Sequence, residues 1–393
     1  MADKHEYNIS MIKREIEPEI RAQIGRGKTI VIYGPRQVGK TTLLHTIFDD
    51  TGGVLWLNGD EQSTQEMLAY ASREAYAPIV ASYQTVVIDE AQRIEDIGLK
   101  LKILHDNFGD KVQFVATGSS SFELANKINE PMTGRKRTFF LPPISALELS
   151  STNGYASEYA NLRNRLLYGS YPAVVTDVGD AVATLRELAN ENLYKDVLNL
   201  GEIIKTNKLQ EILKALAYQI GSQVSLNELA QLVGLDRKTV DKYIGLLEQA
   251  FVVFRLPSFG RNLRNELKSS QKIYFWDVGI RNAIIESFQA VDFRNDIGAL
   301  FENYIVAELK KRPQSGNYYF WRNSEQQEVD FLSVMGDEIA ATEIKWNEKR
   351  SARLPRIFVD TYQPKTTRII NRENYLMELT GNDGNGTGAP ASR

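Results

Sequence analysis

The sequence predicts an α/β fold organised around a buried parallel sheet, and three observations predict it. The apolar run Thr29-Ile30-Val31-Ile32-Tyr33 leads straight into Gly34-Pro35-Arg36-Gln37-Val38-Gly39-Lys40-Thr41, a complete G-x-x-x-x-G-K-[ST] loop. A second apolar run, Thr85-Val86-Val87-Ile88, ends in Asp89-Glu90. A third, Val112-Gln113-Phe114-Val115-Ala116, ends in Thr117-Gly118-Ser119. Short runs rich in β-branched residues suit strands covered on both faces, as in a parallel sheet flanked by helices.

Ahead of the first strand, Ile9, Ile12, Ile16, Ile20 and Ile24 recur at helical spacing. A helix is expected over 9–24, interrupted at Pro18 and packed on the core or on a neighbouring subunit. The loop after the strand is a phosphate site, so the chain is expected to bind a nucleotide. Its glycines let backbone N–H groups turn toward phosphates, and the helix starting near Lys40 adds the positive end of its dipole. Lys40 would reach the β- and γ-phosphates, Thr41 would hold Mg²⁺, and Gly34 to Thr42 would line the ligand.

Asp89 at a strand end can hold the same Mg²⁺ through water, and Glu90 can polarise a water for attack on the γ-phosphate. A carboxylate directly after Asp89 favours hydrolysis over simple binding. A helix is expected over 94–107. Thr117 and Ser119 are candidates for a polar contact to the γ-phosphate or the attacking water; hydroxyls at strand ends also serve as turn and cap residues, and both readings stand. Arg135 and Arg137 are candidate arginine fingers acting on a neighbour's nucleotide, or solvated surface charge.

Gly34–Thr42, Val87–Arg93, Thr117–Ser121, Gly134-Arg135 and Leu141–Leu149, with Tyr168–Pro172 and Asn192–Asp196, together resemble the AAA+ ATPases of bacteria and archaea that carry a C-terminal domain of unknown function. The resemblance runs from about Ile9 to Leu379. It implies ATP and Mg²⁺ as cofactors, a small helical lid, and assembly into a hexamer or another ring. It implies no particular substrate.

Composition fits a cytoplasmic protein. Of 393 residues, 42% are apolar, enough for two to four domain cores. There are no cysteines, which excludes disulfides, thiolate metal sites and cysteine nucleophiles. No apolar run approaches the ~20 residues needed to cross a bilayer, so no membrane partner is expected. Forty-seven Lys and Arg against 50 Asp and Glu leave a net charge of −3, so nucleic-acid binding would need a local basic patch. His5, His45 and His105 fit no metal spacing.

After Pro142-Pro143 the strand rhythm stops, and residues 157–220 read mostly as helix. Ser225 then caps a helix through Leu226, Leu229 and Leu232; Gly234 makes a turn; Asp236 caps a second helix with Val240, Ile244 and Leu247 on its apolar face. That is helix-turn-helix spacing. Arg237, Lys238, Thr239 and Lys242 lie near the start of the second helix, the end that enters a DNA groove in such motifs. Strands over 251–256 and 272–275, joined by a loop containing Arg261, Arg264 and Lys268, complete an expected winged helix. DNA contact and protein docking are both compatible with it, and cations on both elements favour DNA, branched or duplex.

In the last part, Glu302 falls on an expected helix over 297–311, Asp330 on a strand over 328–332, and Glu343 and Lys345 on a strand over 341–346. Alternation puts Glu343 and Lys345 on one face. Converging carboxylates can hold Mg²⁺, and a lysine can steady charge on phosphorus. The order Glu, Asp, Glu-x-Lys is similar to that of the restriction-endonuclease-like PD-(D/E)xK nucleases, including Holliday-junction resolvases. Such folds also serve as non-cutting platforms. The organisation expected is a nucleotide core over 1–150, a helical lid over 151–205, a winged helix over 206–276, a nuclease-like α/β domain over 277–380, and a disordered Gly/Asn-rich tail over 381–393.

Overall fold

The computed structural model describes residues 12–49, 51–119, 132–176, 179–192, 206–260, 271–312, 316–347 and 353–381. Strands β1 (Thr29–Tyr33), β2 (Val54–Asn58), β3 (Thr85–Asp89), β4 (Gln113–Gly118) and β5 (Lys136–Phe140) form one sheet in the order β2-β3-β4-β1-β5. Every pairing in it is parallel. Alternation along β1 sends Ile30 and Ile32 to one face and Val31 to the other, and the two sets join separate buried clusters. Helix Lys40–Phe48 covers the first face with Leu43, Leu44 and Ile47, and helix Ile97–Phe108 covers the second with Leu101 and Leu104. The carboxyl ends of β1, β3 and β4 therefore open side by side, the position in which α/β sheets bind ligands.

Two elements differ from expectation. The helix expected over 9–24 spans only Glu17–Gln23. Pro18 sits in its first turn, where a missing N–H costs no hydrogen bond, so it opens the helix rather than interrupting it; Ile9 lies outside the described residues. The helix expected from 94 begins at Ile97, because a 3₁₀ turn over Ala91–Arg93 ends in an extended Ile94 and the N-cap Asp96 takes a left-handed φ of 48°.

Ser145 opens helix Ala146–Asn153 with a capping box: its hydroxyl accepts from the Glu148 N–H, and the Glu148 carboxylate accepts from the Ser145 N–H. Short helices Tyr155–Ala160, Leu162–Tyr168, Pro172–Thr176 and Ala181–Glu187 follow. Helices Thr206–Tyr218, Leu226–Val233 and Arg237–Gln249 then pack with β6 (Gln223–Val224), β7 (Val253–Pro257) and β8 (Gln271–Phe275), an antiparallel sheet in the order β6-β8-β7. Leu232, expected on the apolar face, is 68% exposed; Val233 is buried instead.

The carboxyl-terminal sheet has the order β12-β11-β10-β9, from β9 (Asn317–Arg322), β10 (Glu328–Met335), β11 (Glu338–Lys345) and β12 (Thr366–Asn371). β9, β10 and β11 are antiparallel, and β12 joins β11 in parallel. Helix Ile297–Lys311 buries one face through Leu300 and Phe301, and helix Arg356–Tyr362 buries the other through Phe358. The long helix also reaches back toward the first sheet. The buried Glu308 carboxylate accepts from the Ala146 N–H at 2.7 Å, and Lys311 Nζ donates to the Ile144 carbonyl at 3.0 Å. No helix among the described residues is long and apolar enough to cross a membrane.

Candidate functional site

The loop after β1 is shaped by two left-handed residues, Gln37 at φ 58° and Gly39 at φ 90°. Gly34 is required for another reason: a Cβ there would stand 2.1 Å from the Leu141 carbonyl oxygen, where the chain leaving β5 passes. Gly39 heads helix Lys40–Phe48 and, as a glycine, offers no side-chain cap to the helix's first N–H groups. Lys40 is buried and folds back over the loop, donating to the Pro35 carbonyl at 2.8 Å and the Gly34 carbonyl at 3.0 Å. Arg36 is half-buried, Val38 is buried, and Thr42 is exposed at the helix start.

Opposite this loop, the Thr41 hydroxyl donates to Asp89 Oδ2 at 2.6 Å. The Thr117 hydroxyl donates to Asp89 Oδ1, and the Glu90 N–H donates to Thr117 Oγ1 at 3.1 Å. Gln92 ties the acid to the next strand end, donating to Glu90 Oε2 and to Ser119 Oγ. Lys40, Thr41, Asp89, Glu90, Thr117 and Ser119 thus meet at one place. A hydroxyl and a carboxylate are hard oxygen donors, a set that fits Mg²⁺.

Beside the loop lies a cavity of about 510 Å³, walled by Lys13, Val38, Thr42, Leu43, Ile144 and Pro172 among others. Arg14, also on its wall, is buried and makes three bonds: to Glu148 at 2.9 Å, to the Val38 carbonyl at 2.7 Å and to the Pro142 carbonyl at 2.6 Å. The two arginines considered as fingers are elsewhere. Arg135 abuts the amino-terminal end of β1, at the far end of the sheet from Lys40, and pairs with Asp106 at 2.6 Å. Arg137 is exposed on the edge strand β5.

Arg237 and Lys238 are exposed at the start of helix Arg237–Gln249, and Lys242 is exposed one turn on. Thr239 is bound locally, its N–H and hydroxyl both donating to Asp236, which draws that carboxyl below its usual range. Arg261, Arg264 and Lys268 lie outside the described residues.

In the carboxyl-terminal sheet, oxygens of Glu302, Glu328 and Asp330 lie within 4.8 Å of one another. Asp330 Oδ2 also accepts from the Ile344 N–H at 2.7 Å, and Lys345 Nζ stands 2.7 Å from Glu343 Oε1. Burial and the neighbouring Asp330 raise the pKa of both Glu302 and Glu343, the former against an opposing pull from Lys272. Lys272 Nζ from β8 is 2.8 Å from Glu302 and pairs with Glu328. Burial works to lower the Lys272 pKa, but Glu302, Asp330 and Glu328 outweigh it and hold it above the ordinary lysine value.

Residues 26–150 match the family described as an AAA domain. Over these residues the chain is similar to a P-loop ATPase domain of the AAA kind. Residues 159–290 and 297–385 match two domains of unknown function, DUF8612 and DUF4143. An uncharacterized protein of Mycobacterium tuberculosis is 25% identical over 338 residues, 85% of this chain and 74% of its own. An uncharacterized protein of Haemophilus influenzae is 23% identical over 341 residues, 80% of this chain and 81% of its own. Among solved structures, the Walker-type ATPase PABY2304 of Pyrococcus abyssi is similar with a TM-score of 0.45 and 13% identity, over 70% of this chain and 96% of that one. A signal transduction ATPase with numerous domains from Pyrococcus horikoshii, carrying a tetratricopeptide repeat sensor, gives a TM-score of 0.29 and 11% identity, over 77% and 46%.

Arg14, Gln92, Lys272 and Glu328 also belong to the phosphate-loop and carboxyl-terminal clusters, although no motif in the sequence points to them. Gln92 and Glu328 each stand two residues from an assigned acid, and two-residue alternation along β10 would have placed Glu328 beside Asp330. For Lys272 the available signal is its place directly before the apolar run Ile273-Tyr274-Phe275, two residues from Tyr274 on the same face of β8.

Proposed function

We propose that this AAA-type ATPase hydrolyses ATP and couples the cycle to binding or remodelling of DNA, branched or broken. The hydrogen-bonded chain Thr41–Asp89–Thr117–Glu90–Gln92 carries the reading. It fixes an acid for Mg²⁺ and a second acid for water at the mouth of a phosphate loop. On ATP binding, Lys40 moves from the Gly34 and Pro35 carbonyls to the β- and γ-phosphates. Gln92 orients the Glu90 carboxylate, which takes a proton from the attacking water. Thr41 and Asp89 hold Mg²⁺, whose charge offsets the negative charge on the phosphate oxygens. The cavity beside Val38 and Thr42 accepts the adenosine, with Ile144 and Pro172 as its lid side. Arg135 or Arg137 completes a neighbour's site in a ring.

Exposed Arg237, Lys238 and Lys242 support the DNA part, since they stand on the helix start that contacts DNA in helix-turn-helix motifs. The test is the ATPase rate with single-stranded, duplex and four-way-junction DNA. Stimulation by one of them supports the reading. A rate indifferent to all three, with no binding at moderate salt, points to a nucleotide-controlled protein scaffold instead.

A second reading is favoured by one observation in the carboxyl-terminal domain: Glu343 Oε2 is buried without a hydrogen-bond partner near Asp330 and Glu302. We infer an ATP-gated, Mg²⁺-dependent nuclease centre of the PD-(D/E)xK type there. The donors are carboxylate oxygens, hard ligands of the kind Mg²⁺ takes alongside water. Bound Mg²⁺ would activate water and stabilise a leaving oxygen. Glu302, Glu328, Asp330 and Glu343 would hold it, and Lys345 would face the scissile phosphate.

A further inference from the structure

The carboxylate centre already has a cation in it, and that cation belongs to the protein. β8 is the middle strand of its sheet, and Lys272 leaves it to enter the neighbouring domain. Its side chain is 1% exposed and 5.5 Å from the centroid of the Phe320 ring. Nζ lies 2.8 Å from Glu302 Oε1 and pairs with Glu328, two of the three carboxylates whose oxygens crowd within 4.8 Å. Tyr274, two residues on in β8, donates to the same Glu302 oxygen at 2.6 Å. One strand thus supplies both a charge and a hydroxyl to the centre.

A single ammonium does not satisfy the whole set. Glu343 keeps Oε2 without a partner while Oε1 is held by Lys345 at 2.7 Å. An ammonium carries three donors and one charge, whereas the three clustered carboxylates, with Glu343 near Asp330, offer more acceptors and more charge than that. A divalent ion would use the same oxygens, with twice the charge at shorter range. Lysine and metal cannot occupy the space together, because the lysine's partners are the metal's ligands.

We propose that Lys272 is a built-in cation that holds the carboxyl-terminal carboxylate centre in a metal-free resting state, so that a divalent ion binds only when β8 withdraws its lysine. The proposal rests on the metal-dependent reading of that centre. Lys272 is then the residue through which the middle domain controls the last one.

The test uses the full nucleotide-free chain titrated with Mn²⁺, with free ion measured by electron paramagnetic resonance and bound stoichiometry by calorimetry. Wild type should bind weakly at this centre. Lys272→Met, similar in length without the charge, should bind one Mn²⁺ per chain roughly tenfold tighter or more, since removal of a buried competing charge exceeds the 1.4 kcal/mol that a factor of ten represents. Lys272→Gln, which keeps a donor for Glu302, should do the same and guards against a misfolded Met variant. Adding Asp330→Asn to either should abolish the gain.

A folded Lys272→Met or Lys272→Gln with wild-type Mn²⁺ affinity overturns the proposal. So does a wild-type chain that saturates at this centre below about 0.1 mM Mn²⁺, tighter than the ~10⁻⁴–10⁻³ M of weak carboxylate Ca²⁺ sites; that result leaves the metal-dependent reading intact and needs no variant to fold. Loss of the metal-dependent reading looks different: neither wild type nor any folded variant binds Mn²⁺ in an Asp330-dependent way.

Discussion

Arg14→Ala should loosen the phosphate loop without touching any residue that contacts phosphate. The guanidinium makes three bonds of 2.6–2.9 Å to Glu148, the Val38 carbonyl and the Pro142 carbonyl, and its side chain is only 7% exposed. Hydrogen bonds to charged groups contribute about 1.5–3 kcal/mol each, so three give a nominal ~4.5–9 kcal/mol. Part of that is retained, because Glu148 still accepts from the Ser145 and Glu15 N–H groups at 2.8 and 2.9 Å. The expected net loss is about 3–5 kcal/mol, the range for breaking one partner out of a buried ion pair. Val38 belongs to the loop, so Mg²⁺-ATP affinity should fall by roughly tenfold or more as the loop loses its preset shape. Urea unfolding followed by tryptophan fluorescence gives the first quantity, and titration of a fluorescent ATP analogue gives the second. Arg14→Lys, able to keep one bond, should fall between. A variant that loses under about 1 kcal/mol and binds nucleotide as wild type does would refute the assignment of Arg14 as the loop's anchor.

Gly34→Ala should lose ATP binding in the same titration, since the new Cβ would stand 2.1 Å from a backbone oxygen of Leu141 that cannot yield without opening the β1–β5 edge; near-native affinity would contradict the close approach. Replacing Arg237, Lys238 and Lys242 together by alanine should weaken DNA binding and reduce the slope of log affinity against log salt by about 2.7, at ~0.9 per phosphate contact; an unchanged slope would remove these residues from the interface. Asp330→Ala should abolish any Mg²⁺-dependent DNA cutting on a denaturing gel while ATP turnover persists, and cutting that survives the change would place the activity elsewhere.

The nucleotide domain was legible because its signals are local. β1 occupies 29–33 as read, and β3 extends the expected apolar run by one residue to Asp89. A phosphate loop must follow a buried strand within a few residues, so the chain itself carries the geometry. Helix limits were less legible. Pro18 reads as an interruption in a repeat of isoleucines, yet in the first turn it is a start signal, and only the fold shows which applies. The late start of helix Ile97–Phe108 depends on the left-handed N-cap Asp96, a non-glycine residue whose conformation composition does not announce. Least legible were the contacts between distant parts of the chain. Arg14 meets Glu148 across 134 positions, and Lys272 meets Glu302 across 30. Each charge reads as ordinary surface until burial gives it a single partner set.

A triphosphate held between Lys40 and the Asp89-Glu90 pair should be broken down there. Phosphate release from Mg²⁺-ATP by wild type and by Glu90→Gln, alongside equilibrium ATP binding to both, tests it most directly. Binding should be equal, and turnover should fall by about 10²–10⁴-fold in the variant, the scale of a lost general base. Turnover in Glu90→Gln equal to wild type, or no phosphate release by either protein under any DNA condition, would contradict it.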